Sequence, residues 1–148
     1  MITILFGGQT MEREGSISSA SSVARSLDRQ EIPNVMIEYQ GEKNIKILPK
    51  GSLIFNCVHG LNGEDGTISR ICEQYRHKYN FSSEGAHRLT YDKIEFYKFA
   101  QQNGILVPQH YAEKQIISQD VSASYLIKRR TGGGSLGITG PFRPDEIQ

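Results

Sequence analysis

Gly7-Gly8-Gln9-Thr10-Met11-Glu12-Arg13-Glu14-Gly15-Ser16 and His59-Gly60-Leu61-Asn62-Gly63-Glu64-Asp65-Gly66 are the stretches on which the fold turns. Each follows a short apolar run, Ile2–Phe6 or Leu53–Val58, and each precedes residues spaced like a helix. Each packs glycines, carboxylates and small polar groups into one connecting loop. Strand, loop and helix in repetition build a parallel α/β sheet. In an open sheet of that kind such loops gather at the C-terminal ends of the strands, where ligands bind. Two of them in one small domain point to a site for a charged small molecule.

The surrounding chain fits this frame. Ile2–Phe6 is apolar at every position but Thr3, as a central parallel strand buried on both faces should be. Ile17, Ala20, Val23, Ala24 and Leu27 recur at helical spacing, with Ser16 as the expected N-cap. Pro33 precedes a second strand, Asn34–Tyr39, and the polar stretch Gln40–Lys50 reads as a hairpin or loop. After the third strand, Ile68, Ile71, Cys72 and Tyr75 fall at i, i+3, i+4, i+7, with Asp65 or Thr67 near the helix cap. The reading is a small doubly wound parallel sheet, Rossmann-like, over residues 1–85.

Residues 86–148 are read as a second, incomplete α+β subdomain. Lys78–Arg88 reads as a connector. A helix is expected from about Tyr91 to Asn103, with Phe96, Phe99 and Ala100 as its apolar stripe and Asn103-Gly104 as its stop. Strands are expected at Leu106–Ala112 and Ala123–Lys128. A glycine loop, Thr131-Gly132-Gly133-Gly134-Ser135, leads to an extended piece around Ile138. These elements are too few to close a core. The expectation is therefore a piece of a larger protein, or one that needs a partner.

Composition narrows the function. Among 148 residues, 17 basic and 16 acidic side chains leave a net charge of +1, so nothing argues for nucleic acid or an anionic membrane as partner. No apolar run approaches the length of a membrane span. Ile2–Phe6 has no basic segment before it and stops at Gly7, which makes it a strand and not a signal peptide. Cys57 and Cys72 read as two buried, reduced thiols, and no ligand spacing for a metal is present. Neither a Gly-x-Ser-x-Gly elbow nor a dinucleotide fingerprint occurs. Fifteen glycines exceed an average usage of about 7%, and the excess clusters in three loops.

Those loops suit particular chemistry. Lys128 followed by Thr131–Ser135 offers a cation and unencumbered backbone N–H groups, a phosphate cradle or else a flexible hairpin tip with an incidental lysine. Glu12, at a helix start, can bind an ammonium group or be a surface acid favoured by the helix dipole. Glu14 reads as the latter. His59 and Glu64 lie at a strand's C-terminal end on the same sheet edge as Glu12. Asp65 reads as a helix cap.

In order along the chain stand Phe6-Gly7-Gly8 with Glu12-Arg13-Glu14 and Ser16, then His59-Gly60 with Gly63-Glu64-Asp65-Gly66-Thr67. Asp92-Lys93 with Lys98 follows, and then Lys128 with Gly133, Ser135 and Gly137. Together they make the chain resemble the N-terminal portion of D-alanine–D-alanine ligase, an ATP-grasp enzyme of peptidoglycan synthesis, from Ile2 to about Thr139. The resemblance implies that residues 1–85 are a substrate-binding pre-ATP-grasp domain and 86–148 the start of the nucleotide-binding domain. It implies ATP and Mg²⁺ as cofactors and D-alanine as substrate. ATP phosphorylates the carboxylate of one D-alanine, and the amine of a second attacks the acyl phosphate. It further implies that Glu12 holds the first substrate's amino group, with His59 and Glu64 beside it. Lys98, Lys128, Gly133, Gly134 and Ser135 would contact the nucleotide phosphates, and Ser135 would also help place the substrate carboxylate. A cytoplasmic homodimer, paired through the N-terminal domain, completes the expectation.

The sequence departs from the family at the last loop. Gly132 and Gly134 stand where a glutamate and the first of two serines are usual, and Arg129 where a proline is usual. Family members carry their acidic Mg²⁺ ligands, an oxyanion-stabilising arginine and most of the adenine pocket in a C-terminal lobe. No metal ligand is therefore expected in these residues, and the chain by itself is expected not to turn over. Two other readings remain: an ATP-grasp ligase for another amino acid, and a non-catalytic paralogue that binds an amino acid or a partner.

Overall fold

A computed structural model describes residues 1–111 and 122–147. The chain divides into two compact units, Met1–Tyr91 and Asp92–Gln148.

The first unit is a four-stranded sheet with helices on both faces. Its elements are β1 (Ile2–Gly7), α1 (Arg13–Asp28), β2 (Asn34–Tyr39), α2 (Glu42–Lys46), β3 (Leu53–Asn56), α3 (Thr67–Gln74), β4 (Lys78–Tyr79) and α4 (Glu84–Tyr91). The strand order is β2-β1-β3-β4 and every pair is parallel, with Ile2 level with both Asn34 and Leu53. Side-chain alternation sends β1 into two cores. Ile4 packs with Ala20 and Cys57 on the α1 face, supported by Val23, Ala24 and Leu27. Leu5 packs on the other face with Ile45, Ile54, Ile68, Ile71 and Cys72, under α2 and α3. Each of these fully buried isoleucines and leucines contributes roughly 1.5–3 kcal/mol. The α3 stripe also buries Ser69, whose hydroxyl donates to the Ser82 carbonyl at 2.9 Å.

Cys57 and Cys72 lie in cores on opposite sides of the sheet, so they cannot pair, and both are free. Burial pushes the Cys57 thiol up from its ordinary value and that of Cys72 up to about 12.

Several local expectations change. Ser16 is not an N-cap: α1 begins at Arg13, and the fully buried Ser16 hydroxyl instead accepts the Gly7 N–H at 2.8 Å. Gln40–Lys50 holds the short helix α2, whose Ile45 plugs the core. Lys78–Arg88 is not merely a connector, since it contributes the edge strand β4 and most of α4. Asp65 does serve the start of α3: its carboxylate accepts the N–H groups of Thr67 and Asn62 at 2.9 and 3.1 Å.

The second unit contains α5 (Lys93–Gln102), then β5 (Tyr125–Lys128) paired antiparallel with β6 (Ile138–Phe142), and a 3-10 turn at Pro144–Glu146. Asp92 caps α5, accepting from the N–H groups of Ile94 and Glu95. Gly104, at φ +71°, ends it as expected. Of the expected stripe only Ala100 is buried; Phe96 and Phe99 are exposed. Residues 105–111 form no strand, and Ala112 lies outside the described residues.

Candidate functional site

The order β2-β1-β3-β4 reverses direction between β1 and β3. The connection from β1 runs to one side of the sheet, while β3 lies on the other. Loops leaving the C-terminal ends of those two strands therefore border the crevice where open α/β sheets bind ligands. They are the two stretches that begin at Gly7 and at His59. Gly7 and Gly8 take φ of +100° and +96°, and a Cβ on Gly8 would sit 3.2 Å from Val58 Cγ1. Only glycine turns the chain this tightly against the neighbouring strand.

Glu12 stands at the head of α1 without capping it. Its carboxylate lies along the second loop instead, where a Cβ on Gly60 would come within 2.5 Å of Oε2. Thr10 joins the loops: its hydroxyl donates to the His59 carbonyl at 3.4 Å and accepts the Glu12 N–H at 3.3 Å. His59 is held on both sides, with Nε2 3.2 Å from Ser19 Oγ and Nδ1 3.4 Å from Glu64 Oε1. Glu12, His59 and Glu64 are thus brought to one place.

The second loop is rigid by construction. Asn56 donates its side-chain amide to the Gly63 carbonyl at 2.8 Å and accepts the Val58 N–H at 3.0 Å. The amides of Gly63 and Glu64 both donate to the Gly60 carbonyl. A Cβ on Gly63 would land 1.9 Å from the Val58 carbonyl oxygen. Behind the loop, His87 of α4 donates Nδ1–H to the Glu64 carbonyl at 3.1 Å. Thr10, Ser19, Asn56 and His87 were not legible as site residues. An asparagine ending a strand just before a glycine loop is the one available signal, as a side chain suited to an Asx turn.

In the second unit a cavity of about 700 Å³ is lined by Lys93, Tyr97, His110, Lys128 and Arg129 among others. Lys128, itself exposed, therefore stands on the wall of a half-open cleft. Lys98 does not line it; its ammonium pairs with Glu95 at 3.0 Å, and its neighbour Tyr97 takes the cavity wall. Lys93 donates to the Gly132 carbonyl at 2.8 Å and so pins the start of the glycine loop. Gly132 and Gly134 adopt positive φ, and so does Ser135, at +58°. Arg130 is engaged by Asp92 at 2.7 Å and by Glu95 at 3.7 Å. Hydrogen bonding from Arg130 foremost, then from backbone N–H groups, holds the Asp92 carboxyl below its ordinary value. Lys128 and Arg129 have no carboxylate partner among the described residues, which suits them to phosphate.

Among the described residues, no group of three histidine, cysteine or carboxylate side chains is placed to hold a metal ion. Among the described residues, Asp92 and Glu95, which flank the cavity-lining Lys93 and Ile94 in sequence, are already held by cations. These residues do not fit a Mg²⁺ site. No helix among them is long and apolar enough to cross a membrane.

No protein-family model matches the chain. Curated relatives do. It is 29% identical over 154 aligned positions to a D-alanine–D-alanine ligase of Rickettsia bellii (strain RML369-C), covering 99% of this chain and 47% of the relative. It is 31% identical over 137 positions to that of Petrotoga mobilis, covering 93% and 46%. The chain spans about half the length of the curated relatives it matches. Among solved structures, the D-alanine–D-alanine ligase of Bacillus anthracis superposes with a TM-score of 0.77 at 20% identity, over 99% of this chain and 50% of that one. The VanG D-Ala:D-Ser ligase of Enterococcus faecalis gives 0.73 at 25% identity, over 93% and 54%.

Proposed function

We propose that this chain, similar along its length to the N-terminal half of D-alanine–D-alanine ligases, supplies the first-substrate cradle and part of the phosphate site of an ATP-dependent carboxylate–amine ligase. The observation that carries the reading is the meeting of Glu12, His59 and Glu64 at the β1/β3 switch point, in a chain similar to D-alanine–D-alanine ligases of Rickettsia bellii and Petrotoga mobilis.

In this reading Glu12 binds the ammonium of the first D-alanine, because its carboxylate is spared from helix capping and held against Gly60. His59, fixed by Glu64, flanks the same amino acid. Lys128 and the glycine loop Gly133-Gly134-Ser135 hold nucleotide phosphates, the cation supplying charge and the glycines close approach. Lys98 reaches a phosphate only by giving up Glu95. Ser135 helps place the substrate carboxylate. ATP bound there would supply a phosphoryl group to that carboxylate and leave as ADP; an incoming amine would then attack the acyl carbon of the acyl phosphate, form the amide and release phosphate. The chain's own part is orientation and charge stabilisation. Turnover also requires Mg²⁺ carboxylates, which the described residues do not group.

We further read Met1–Tyr91 as the substrate-binding domain and the face of a homodimer, in a cytoplasmic enzyme. The likeness to a D-Ala:D-Ser ligase favours a second reading, in which the second substrate is D-serine. The test is ADP release by the protein isolated from its source, with D-alanine alone or with D-serine added, and the dipeptide identified by mass. D-Alanine-dependent ADP release with a matching dipeptide is expected. ADP release indifferent to every amino acid would overturn the reading.

A further inference from the structure

The hydrogen bonds of His59 dictate its tautomer. A carboxylate only accepts, so the contact of Nδ1 with Glu64 Oε1 at 3.4 Å places the proton of the neutral ring on Nδ1. Nε2 then carries a lone pair, and Ser19 Oγ, 3.2 Å away, must donate to it. An unconstrained imidazole favours the opposite arrangement, with the proton on Nε2. Glu64 therefore selects the less common form; the Ser19 hydroxyl, able to donate or to accept, follows it, and the two side chains occupy both ring nitrogens. Ser19 comes from α1, seven residues after Glu12, whereas His59 and Glu64 come from the loop after β3. The bond thus also ties the helix that presents Glu12 to the loop that faces it.

A hydroxyl, an imidazole and a carboxylate in this order also occur in nucleophilic enzymes. Ser19 lies in the middle of α1, however, where backbone N–H groups are spent on helix hydrogen bonds and leave no donors for an oxyanion. Its role is to position.

We propose that Ser19 is a positioning residue that fixes the ring orientation of His59 in the amino-acid cradle by holding Nε2 while Glu64 holds Nδ1. The positioning stands on geometry alone; its consequence for binding rests on the function proposed above. The experiment is nitrogen-15 NMR of histidine side chains in the intact protein, followed by steady-state kinetics.

In the unsubstituted protein, the His59 ring is expected to be protonated on Nδ1. In Ser19→Ala the unprotonated Nε2 signal of His59 moves downfield, as a lone pair that has lost its donor does, while His77, His87 and His110 keep their signals. Ser19→Thr, which retains the hydroxyl, restores the original spectrum. In kinetics, Ser19→Ala raises KM for the first amino acid about fivefold, leaving KM for ATP and kcat within about twofold. A His59 protonated on Nε2 from the outset, or a spectrum unmoved by Ser19→Ala, overturns the proposal. A shifted Nε2 signal with an unchanged KM overturns its link to the cradle. A wild-type protein with the expected tautomer and no amino-acid-dependent turnover contradicts the ligase reading and leaves the positioning role standing.

Discussion

Single atoms decide whether the loops after β1 and β3 keep their shape. Gly63 has no room for a methyl group: its Cβ would meet the Val58 carbonyl oxygen at 1.9 Å. Gly63→Ala should cost about 3 kcal/mol, through forced backbone movement, in a denaturant titration of the protein. Ser16→Ala removes the acceptor of the Gly7 N–H at a fully buried position and should cost about 1–3 kcal/mol, because an unpaired buried donor bears its whole desolvation penalty. Had Ser16 been an exposed N-cap, the loss would have been nearer 1 kcal/mol and Gly7 would be unaffected. Amide exchange at Gly7 separates the two, since only loss of the buried bond speeds it. Ser16 shows what a sequence withholds at this scale. A serine after a glycine loop looks the same whether it caps the helix it stands in or serves the strand before it.

The elements were legible where their periodicity was strong. β1, β2 and α3 follow directly from short, largely apolar runs or a clean i, i+3, i+4, i+7 stripe. α2 was hidden because five residues hold a single buried position, Ile45. α4 was hidden because it buries no residue completely and gains its place by covering the His59 loop, with a Cβ on Gly66 only 2.8 Å from the Glu84 carbonyl. The opposite error befell the strand expected at Leu106–Ala112, whose described residues, 106–111, form none, and Leu106 is almost wholly exposed. β-propensity expresses a half-buried pleated surface, and an apolar run with nothing to pair with is not a strand.

The start of α5 carries a prediction of its own. Asp92 caps the helix and engages Arg130, and its carboxyl is held below the ordinary value. A group whose folded pKa is depressed stabilises fully above its unfolded value, about 3.9 for aspartate, and loses that contribution as pH falls through the folded value. Stability followed by thermal unfolding should therefore drop over that acidic window. The difference between the wild type and Asp92→Asn should vanish at its lower end. A difference constant with pH would show that the Asp92–Arg130 pair does not act through charge.

At the scale of the molecule, the sheet order turns separate motifs into one place. Neither Glu12 nor His59 carries its meaning alone; the β1/β3 reversal puts the loops that bear them side by side. That much followed from the repeated strand–loop–helix pattern, whereas the props behind the site, Thr10, Ser19, Asn56 and His87, emerge only from the fold, because each is an ordinary polar residue whose hydrogen-bond partners nothing in the sequence announces. The two cores on opposite faces also predict thiol behaviour. Cys57 and Cys72 should react with a disulfide reagent only at the rate at which the first unit opens, because burial suppresses both thiolates. Fast labelling of the native protein would contradict that packing.

The central claim is that the Glu12 cradle presents an amino-acid carboxylate for phosphorylation. It is tested most directly by supplying the protein isolated from its source with ATP and D-alanine carrying oxygen-18 in its carboxylate. The account predicts that each phosphate released carries a single labelled oxygen from the amino acid, and that Glu12→Gln lowers the yield of labelled phosphate by about a hundredfold at limiting D-alanine. Phosphate released without label would mean that no acyl phosphate forms, and would contradict the account.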